Sequence, residues 1–402
     1  MRLLILTNKI PYPPKDGGAI ATLNMATGIA KAGAKVTILA MSTPKHNTRA
    51  KDIPNSILDL IEVKDVFVDT SISLVKAAKN LITSDLPYNA ERFISEEFRM
   101  KLSETLSEEF DVVQLEGPYL LPYIETIKRL HGGLISFRAH NVEWEIWKRN
   151  SALQPNPAKK IYFNLITKRL RKFEARLLKS VDILIPISSR DEFMLRKLGF
   201  QGKSFVVQTG FVETSPNVGD SEMEYPSIFH IGGLDWLPNR QGIAWFLNHC
   251  WPLIQNNMPG VKFYIAGRNA PKSFIKLVSK FENVVFCGEV ADSNDFMKSK
   301  AVMVVPLLSG SGMRVKIVEG LARQRAIVTT SIGVEGLDLT DGKEVAIADQ
   351  SSQFAEKVIN LITDKAKFNQ MVNAGYQFVI KNLDNNSITI KLFEFYNECL
   401  KK

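Results

Sequence analysis

Short apolar runs alternate with helical segments along almost the whole chain, and this alternation limits the possible fold more than any other feature. Runs of this length that are rich in branched residues predict strands buried on both faces. Strands that alternate with helices form a parallel sheet with right-handed crossovers. The predicted strands are 2–8, 35–41, 63–68, 111–117, 133–139, 181–188 and 204–210 in the first half, and 227–233, 261–267, 283–288, 301–307, 326–330 and 344–349 in the second.

These two series of strands predict two α/β domains. The 402 residues exceed what one hydrophobic core usually supports, so two domains of about 200 residues are the natural expectation. The stretch 211–227 between them is polar, acidic and contains proline, as an interdomain linker would be. We therefore expect one domain over 1–212 and another over 213–386, followed by an amphipathic helix at 387–402.

Cysteine spacing and hydropathy exclude several protein classes. Cys250, Cys287 and Cys399 are widely spaced and contain no CxxC pair, so the sequence predicts neither a disulfide framework nor a zinc site. The first apolar run is too short for a signal peptide. No apolar run approaches the roughly 18 residues that span a bilayer. We expect a cytoplasmic protein.

The stretch 306–336 is the most informative about function. A buried strand ends at a glycine-rich turn, and a helix then opens with Arg314, Lys316 and Glu319. Glycines let backbone N–H groups approach a ligand, and the positive end of the helix favours an anion such as a diphosphate. An alternative is a surface loop in which Lys316 and Glu319 form an exposed pair of little energetic value. A second strand followed by GVEG (333–336) favours the ligand site, because two strand ends then meet at one crevice.

This stretch resembles the donor-site signature of family 4 glycosyltransferases. The residues that carry the resemblance are Gly310, Gly312, Arg314, Lys316, Glu319, Thr329, Thr330, Gly333, Glu335 and Gly336. The resemblance implies two Rossmann-like domains in the GT-B arrangement, with the final helix packed on the first domain. It also implies acceptor binding by the first domain and nucleotide-sugar binding by the second.

The resemblance gives each residue of this loop an expected role. Arg314 and Lys316 would stabilise the departing diphosphate and count as catalytic, and Glu319 would hold the ribose. Further donor contacts are expected from Gly310, Ser311, Gly312 and Met313. Ser311 stands where the family has the first glutamate of an E-x7-E pair, which helps to hold the transferred sugar. Contacts with the sugar would then come from the loop backbone or from other residues.

Two loops of the first half add candidates. Gly17 and Gly18 lie between the first strand and its helix, where exposed N–H groups can bind phosphate, although many such loops contain two glycines. His140 follows the fifth strand, and a lone histidine is more often structural than catalytic. The resemblance makes His140 a catalytic residue that contacts the transferred sugar, with Arg138 and Glu143 beside it as further substrate contacts.

Two loops of the second half supply more candidates. Family members often carry an arginine and then a lysine for the diphosphate in the loop that starts at 231. This chain has Gly233 at the first position, where Gly232 and Gly233 can present N–H groups, and Arg240 near the second. Arg268 follows the next strand and is either another phosphate contact or a solvated loop arginine. No Asp-x-Asp follows a strand, so we expect no metal and no cofactor beyond a UDP- or GDP-type donor.

The segment 159–180 predicts a basic amphipathic helix. It holds eight basic residues against only Glu174, and its apolar residues fall close to helical spacing. The helix is either a solvated face or a contact with anionic lipid headgroups. No helix-turn-helix, RNP or zinc-finger pattern accompanies it, so we expect no nucleic-acid partner. The apolar positions are Ile161, Leu165, Leu170, Phe173 and Leu177.

The sequence therefore predicts a glycosyltransferase that moves a sugar from a nucleotide diphosphate to a glycan or lipid-linked acceptor. Retention of configuration and independence of metal follow from the resemblance alone, as does polysaccharide or glycoconjugate synthesis at the inner membrane face. Two alternatives share the fold: a sugar-nucleotide epimerase, and a nucleotide-binding module without turnover. A dinucleotide-binding enzyme is disfavoured because GxGxxG is absent after the first strand.

Overall fold

The structure is a computed structural model that describes residues 1–212, 223–310 and 312–401. Most of the predicted linker and Ser311 lie outside the described residues. The chain separates into two compact units. The first contains residues 1–210, 312–313 and 385–401, and the second contains the described residues of 211–310 and 314–384.

The first unit is built on a parallel sheet of seven strands in the order β3-β2-β1-β4-β5-β6-β7. Its strands are β1 (Arg2–Thr7), β2 (Lys35–Ser42), β3 (Ile61–Phe67), β4 (Val112–Glu116), β5 (Leu134–Ala139), β6 (Ile183–Pro186) and β7 (Lys203–Ser204). Its helices are α1 (Gly17–Lys31), α2 (Asn55–Leu58), α3 (Leu74–Thr83), α4 (Tyr88–Glu91), α5 (Glu96–Thr105), α6 (Ile124–Leu130), α7 (Glu143–Ala152), α8 (Pro157–Leu178) and α9 (Ser189–Lys197).

The second unit is built on a parallel sheet of six strands in the order β10-β9-β8-β11-β12-β13. Its strands are β8 (Glu224–Ile231), β9 (Phe263–Ala266), β10 (Val284–Gly288), β11 (Lys300–Val305), β12 (Ala326–Thr329) and β13 (Ala346–Ile347). Its helices are α10 (Leu237–Trp245), α11 (Trp251–Asn257), α12 (Lys272–Val278), α13 (Ser293–Lys298), α14 (Val315–Ala322), α15 (Ser351–Thr363) and α16 (Lys365–Asn382). The predicted α/β fold with two parallel sheets is confirmed.

The central strands are apolar throughout because both faces of each sheet are covered. In β1, Leu4 and Leu6 belong to the core on one face, while Leu3 and Ile5 belong to the core on the other. Alternate residues of a strand point to opposite faces, so a strand covered twice needs apolar residues at every position. The continuous apolar runs of the sequence therefore marked these strands.

The final helix, α17 (Asn385–Leu400), belongs to the first unit, where it packs against α1. The Asn385 side-chain amide donates to the Asn24 carbonyl at 3.0 Å, and the Tyr396 hydroxyl donates to Gln114 Oε1 at 2.5 Å. Gly28 of α1 lies under Thr389, where an added Cβ would be 2.6 Å from the threonine side chain. The packing of α17 against α1 therefore depends on a small residue at position 28.

We expect Gly28→Ala to lower the free energy of unfolding by about 1–3 kcal/mol, because the new methyl group overlaps Thr389. The cost of this overlap exceeds the gain in helix propensity from glycine to alanine. Thermal denaturation followed by circular dichroism measures this change. Gly132→Ala is the control, since an added Cβ there meets no atom within 4 Å. Removing the overlapped side chain with Thr389→Ala should restore part of the loss, and an unchanged melting temperature for Gly28→Ala would contradict the close packing.

The basic helix is α8, but its apolar residues do not form one outward face. Leu170, Phe173 and Leu177 are buried in the core, whereas Ile161 and Leu165 are exposed. Glu174, its single acidic residue, is buried as well. The predicted amphipathic face is thus partly a core face. None of the helices in the described part of the chain is long and apolar enough to cross a membrane.

Candidate functional site

Glu116 is the centre of a buried polar cluster in the first unit. It is the last residue of β4, and His140 follows the end of the neighbouring strand β5, so both lie at the carboxyl edge of the sheet. The His140 Nε2 lies 2.6 Å from Glu116 Oε2. On the other side, the Thr22 hydroxyl of α1 donates to the same carboxylate oxygen at 2.8 Å. The carboxylate therefore fixes the orientation of the His140 ring.

Glu116 is ionised despite its burial. Burial raises its pKa, but the charges of Arg138 and His140 and the hydrogen bonds from His140 and Thr22 outweigh it and lower the pKa to about 2. An ionised carboxylate only accepts hydrogen bonds, so the Nε2 of His140 carries the hydrogen.

Arg138 neutralises this cluster from within β5. Its guanidinium is 1% exposed, lies 3.8 Å from Glu116 Oε2, and donates to the Ala21 carbonyl at 3.1 Å. Burial lowers the pKa of Arg138, while the Glu116 charge opposes that change. Arg138 is thus a buried partner of Glu116, and the substrate contact predicted for it remains a prediction.

Glu143 is the first residue of α7 and lies close to a second buried carboxylate. The backbone N–H groups of Glu143 and Trp144 donate to Glu174 at 3.0 and 2.8 Å, which caps the helix. Burial raises the pKa of Glu174 to about 8, and the Glu143 charge adds to the effect. The Tyr119 hydroxyl donates to Glu143 at 3.0 Å. Glu143 is therefore integrated into the helix start, where its predicted substrate contact remains a prediction.

Gly17 and Gly18 are the first two residues of α1. The helix is capped by Asp16, which accepts from the Ala19 N–H at 3.0 Å and forms an ion pair with Lys9. Burial raises the pKa of Asp16, but the Lys9 charge and these hydrogen bonds outweigh it and hold the pKa well below its ordinary value. The two glycines thus stand at a capped helix start with a lysine beside it.

In the second unit, Lys316 is held by two uncharged groups. It lies in the first turn of α14, and its ammonium donates to Asn239 Oδ1 of α10 at 2.8 Å. The ammonium also lies 3.4 Å from Nε2 of His230, a buried residue of β8. The Nδ1 of His230 donates to the Val304 carbonyl at 2.8 Å, so its Nε2 is the acceptor that faces Lys316.

Gly232 makes room for this lysine. It follows β8, and an added Cβ would lie 2.6 Å from the Lys316 nitrogen and 2.9 Å from Asn239 Nδ2. The carbonyl of the next residue, Gly233, accepts from the Asn239 amide at 2.8 Å. The predicted glycine pair is therefore next to Lys316, where its first member leaves space and its second orients Asn239.

The charge state of Lys316 is sensitive to its surroundings. Burial and then the Arg314 charge lower its pKa to about 7, and the Glu319 charge opposes them. Burial raises the pKa of Glu319 to about 7 as well, against the charges of Arg323 and Lys316. An anion placed beside Lys316 would favour its charged form, because opposite charges nearby raise the pKa of an amine. The site is therefore suited to an anionic ligand.

Arg314 immediately precedes α14. Its guanidinium is buried and lies over the Trp236 ring, 5.6 Å from the ring centroid. Gly310 has φ 129° and Gly312 has φ 78°, backbone conformations that glycine adopts without strain. Met313 is buried. The two glycines of the predicted turn thus have backbone conformations that favour glycine, while Ser311 falls outside the described residues.

Two predicted arginines occupy neighbouring positions of the second unit. Arg240 is half-buried in α10, next to Asn239, whose side chain contacts Lys316. Arg268 follows β9 and is half-buried, and its carbonyl accepts from the Leu234 N–H at 2.9 Å. The contacts predicted for both side chains with a phosphate remain predictions.

Three residues of these clusters were missed at the level of sequence: Glu116, His230 and Asn239. Glu116 ends an apolar strand and His230 interrupts one, and a buried polar residue in such a run must find a partner. That signal was present, but it does not identify the partner. Asn239 lies inside a helix next to the more conspicuous Arg240 and gave no signal. No group of three or more His, Cys, Asp or Glu side chains within the described ranges is arranged to hold a metal ion.

Comparisons with known proteins find a family match for the second unit and solved structures with the same fold. Residues 225–364 match the family model described as "Glycosyl transferases group 1". A Klebsiella pneumoniae protein described as "Uncharacterized 44.6 kDa protein in cps region" is 21% identical to this chain. The match covers 98% of this chain and 99% of the Klebsiella protein.

Two solved structures show the same fold. HepE from Anabaena, in complex with UDP and glucose, superposes with a TM-score of 0.69 at 12% identity, covering 99% of this chain and 100% of HepE. Sucrose-phosphate synthase from Thermosynechococcus elongatus gives a TM-score of 0.71 at 13% identity, with all of both chains covered. The GT-B fold is thus confirmed. Together with the family match, it confirms the expectation that the chain is a glycosyltransferase enzyme.

Proposed function

We propose that the chain transfers a sugar from a nucleoside diphosphate sugar to a glycan or lipid-linked acceptor in polysaccharide synthesis. UDP is favoured over GDP as the nucleotide of the donor. The transfer would retain the anomeric configuration and need no metal. The second unit would bind the donor and the first the acceptor. Arg314 and Lys316 would stabilise the departing diphosphate, Glu319 would hold the ribose, and His140 would contact the transferred sugar.

The observation that carries this proposal is the environment of Lys316. Its ammonium contacts Asn239 and His230, which are both uncharged acceptors, because burial and the Lys316 charge hold the pKa of His230 well below its ordinary value. A buried cation with neutral partners gains most from an anion that arrives with the ligand. Arg314 increases the positive potential, and a diphosphate that gains charge on leaving would be stabilised there.

The relatives favour the choice of donor and pathway. HepE is described with UDP and glucose, which supports a uridine nucleotide as the first donor to test. The Klebsiella relative is described by its cps region, which supports a role in polysaccharide synthesis. Both are properties of those proteins, and the experiments below test them on this chain.

We expect UDP to raise the melting temperature more than GDP, ADP or CMP do at the same millimolar concentration. A ligand at 100 times its dissociation constant adds about 2.7 kcal/mol, which corresponds to about 5–10 °C for a unit of this size. Differential scanning fluorimetry with and without EDTA measures this shift and its dependence on metal. If none of the nucleotides changes the melting temperature, the proposed donor site is wrong.

Turnover separates a transferase from a nucleotide-binding module. Incubation with UDP-sugars should release UDP slowly even without an acceptor, and a coupled assay or anion-exchange chromatography measures that release. If UDP binds but no UDP-sugar is hydrolysed or transferred to glycan acceptors, the proposed reaction would have to be abandoned while the binding site would stand.

We expect the affinity for UDP to depend on pH through Lys316. Because its pKa is lowered to about 7, the ammonium is charged below that pH and neutral above it. Bound diphosphate would favour the charged form, so affinity should fall by up to about tenfold per unit as pH rises above 7. Isothermal titration calorimetry of the wild type and of Lys316→Arg, which stays charged, isolates this effect from titration of the nucleotide. Equal pH profiles for the two proteins would contradict it.

A further inference from the structure

Helix α3 exposes an unusual set of apolar side chains. Val75 is 79% exposed, Ile82 is 88% exposed, and Ile72 just before the helix is 73% exposed. Val75 and Ile82 are seven residues apart, which places them on one side of the helix. Single exposed apolar residues are common on proteins, but large ones aligned along one helix mark a contact surface.

The first half of α8 continues this apolar set. Ile161 is 71% exposed and Leu165 is 38% exposed, one helical turn apart. The same outward side carries Lys168 and Lys172, which are also exposed. The residues of α8 that pack into the core, such as Leu170 and Phe173, lie on its other side.

Hydrogen bonds hold the two helices next to each other. The Arg169 guanidinium of α8 donates to the carbonyls of Asn80 and Leu81 at 3.2 and 2.8 Å, which fixes the end of α3. At the start of α3, the Ser73 N–H donates to the Tyr88 hydroxyl at 3.0 Å. Burial raises the pKa of Tyr162 in α8, and the nearby Tyr88 raises it further. The start of α3, which is hydrogen-bonded to Tyr88, therefore also lies near α8. The exposed residues of both helices therefore belong to one region of the first unit.

The exposed charges on α3 and α8 themselves have a single sign, while Asp69 near Lys76 and Asp85 after α3 flank the region. Around the apolar side chains lie six exposed lysines, and α3 contains no acidic residue while the only one in α8 is buried. We call this region the α3–α8 surface. Its members are Ile72, Val75, Ile82, Ile161, Leu165, Lys76, Lys79, Lys159, Lys160, Lys168 and Lys172.

We propose that the α3–α8 surface docks on an anionic lipid bilayer, with the side chains of α3 inserted among the headgroups. Protruding apolar residues among lysines match a surface with negative headgroups over an apolar interior. A second copy of this chain would place like charges opposite each other across a twofold contact. Nucleic acid would attract the lysines but gain nothing from exposed Ile72 and Ile82. This assignment places the inserted side chains on α3, whereas the sequence offered only α8, as one of two alternatives, for a contact with lipid headgroups.

Vesicle co-sedimentation with three proteins tests the proposal. The wild type should bind phosphatidylglycerol vesicles at low salt, should not bind phosphatidylcholine vesicles, and should dissociate as salt is added. The triple variant Ile72→Ser, Val75→Ser, Ile82→Ser should bind phosphatidylglycerol at least about tenfold more weakly, since it loses the inserted apolar area. The control Met100→Ser, Phe193→Ser, Ile390→Ser removes three exposed apolar residues elsewhere on the first unit and should bind like the wild type.

Two results would overturn the proposal: no binding of the wild type to phosphatidylglycerol, or equal binding of the two triple variants. A fluorophore on Ile82→Cys, with the exposed Cys287 replaced by serine, should shift its emission to shorter wavelength on these vesicles. The same label on Met100→Cys should not shift. Stabilisation by UDP should be unchanged in the α3 variant, so failure of the membrane proposal and failure of the donor site would be seen separately.

Discussion

Lys316→Met is expected to weaken UDP binding by about 30-fold or more, because truncating one side of a buried charged contact costs at least about 2 kcal/mol. The side chain keeps its length and apolar part, so the loss reports the ammonium itself. Titration calorimetry measures the affinity, and the stabilisation by UDP in thermal denaturation should fall in parallel.

Two further variants sharpen this experiment. Asn239→Ala keeps the ammonium but removes the acceptor that orients it at 2.8 Å, so it should weaken binding less than Lys316→Met. Lys280→Met, at an exposed lysine of the same unit, should bind UDP like the wild type. Circular dichroism of each variant checks that the fold is retained. A Lys316→Met protein that is folded and binds UDP with wild-type affinity would remove Lys316 from the donor site.

Glu116→Gln is expected to destabilise the first unit by about 3–5 kcal/mol, because it leaves the Arg138 charge buried without its carboxylate. The shape of the side chain is almost unchanged, so a cavity does not contribute. Thermal and urea denaturation measure the loss. Glu108→Gln weakens two partly exposed pairs, with Lys64 and Arg2, and should cost only about 1 kcal/mol.

The pH dependence of stability provides an independent measure of the same group. Glu116 has a lowered pKa of about 2, so its contribution is fully present above its ordinary pKa of 4.5 and is lost as pH falls towards 2. Glu116→Gln should lack this part of the acid sensitivity. In the double variant Glu116→Gln, Arg138→Met, the two changes should cost less than the sum of the single changes. If they simply add, the two residues are not coupled and the cluster is described wrongly.

Much of the fold could be predicted because it depends on local patterns. Residues at alternate positions of β1 enter different cores, so an apolar residue at every position indicates a strand covered on both faces. The glycine turn before Arg314 could be predicted for the same reason, since φ 129° at Gly310 suits glycine and little else. Lys316 was predicted from its place at the start of a helix that follows such a turn.

The partners of these residues could not be predicted, because they come from distant parts of the chain. His140 and Glu116 are 24 positions apart, and Lys316 is 77 positions from Asn239 and 86 from His230. Spacing along the sequence carries no information on which strands become neighbours. Arg138 illustrates the consequence: its sequence position beside His140 suggests a substrate contact, while its position in the sheet makes it the buried partner of Glu116.

The sequence by itself determined the strands, their order, the strand end that His140 follows and the glycine turn that precedes Lys316 and Glu319, because hydrophobic periodicity and glycine turns act over a few residues. The tertiary structure alone decided which charges are buried, which acceptors hold Lys316, and that Val75 and Ile82 of α3 remain exposed while three of the five predicted apolar positions of α8 enter the core. Burial and hydrogen bonding are properties of three-dimensional neighbours, and only packing brings those neighbours together.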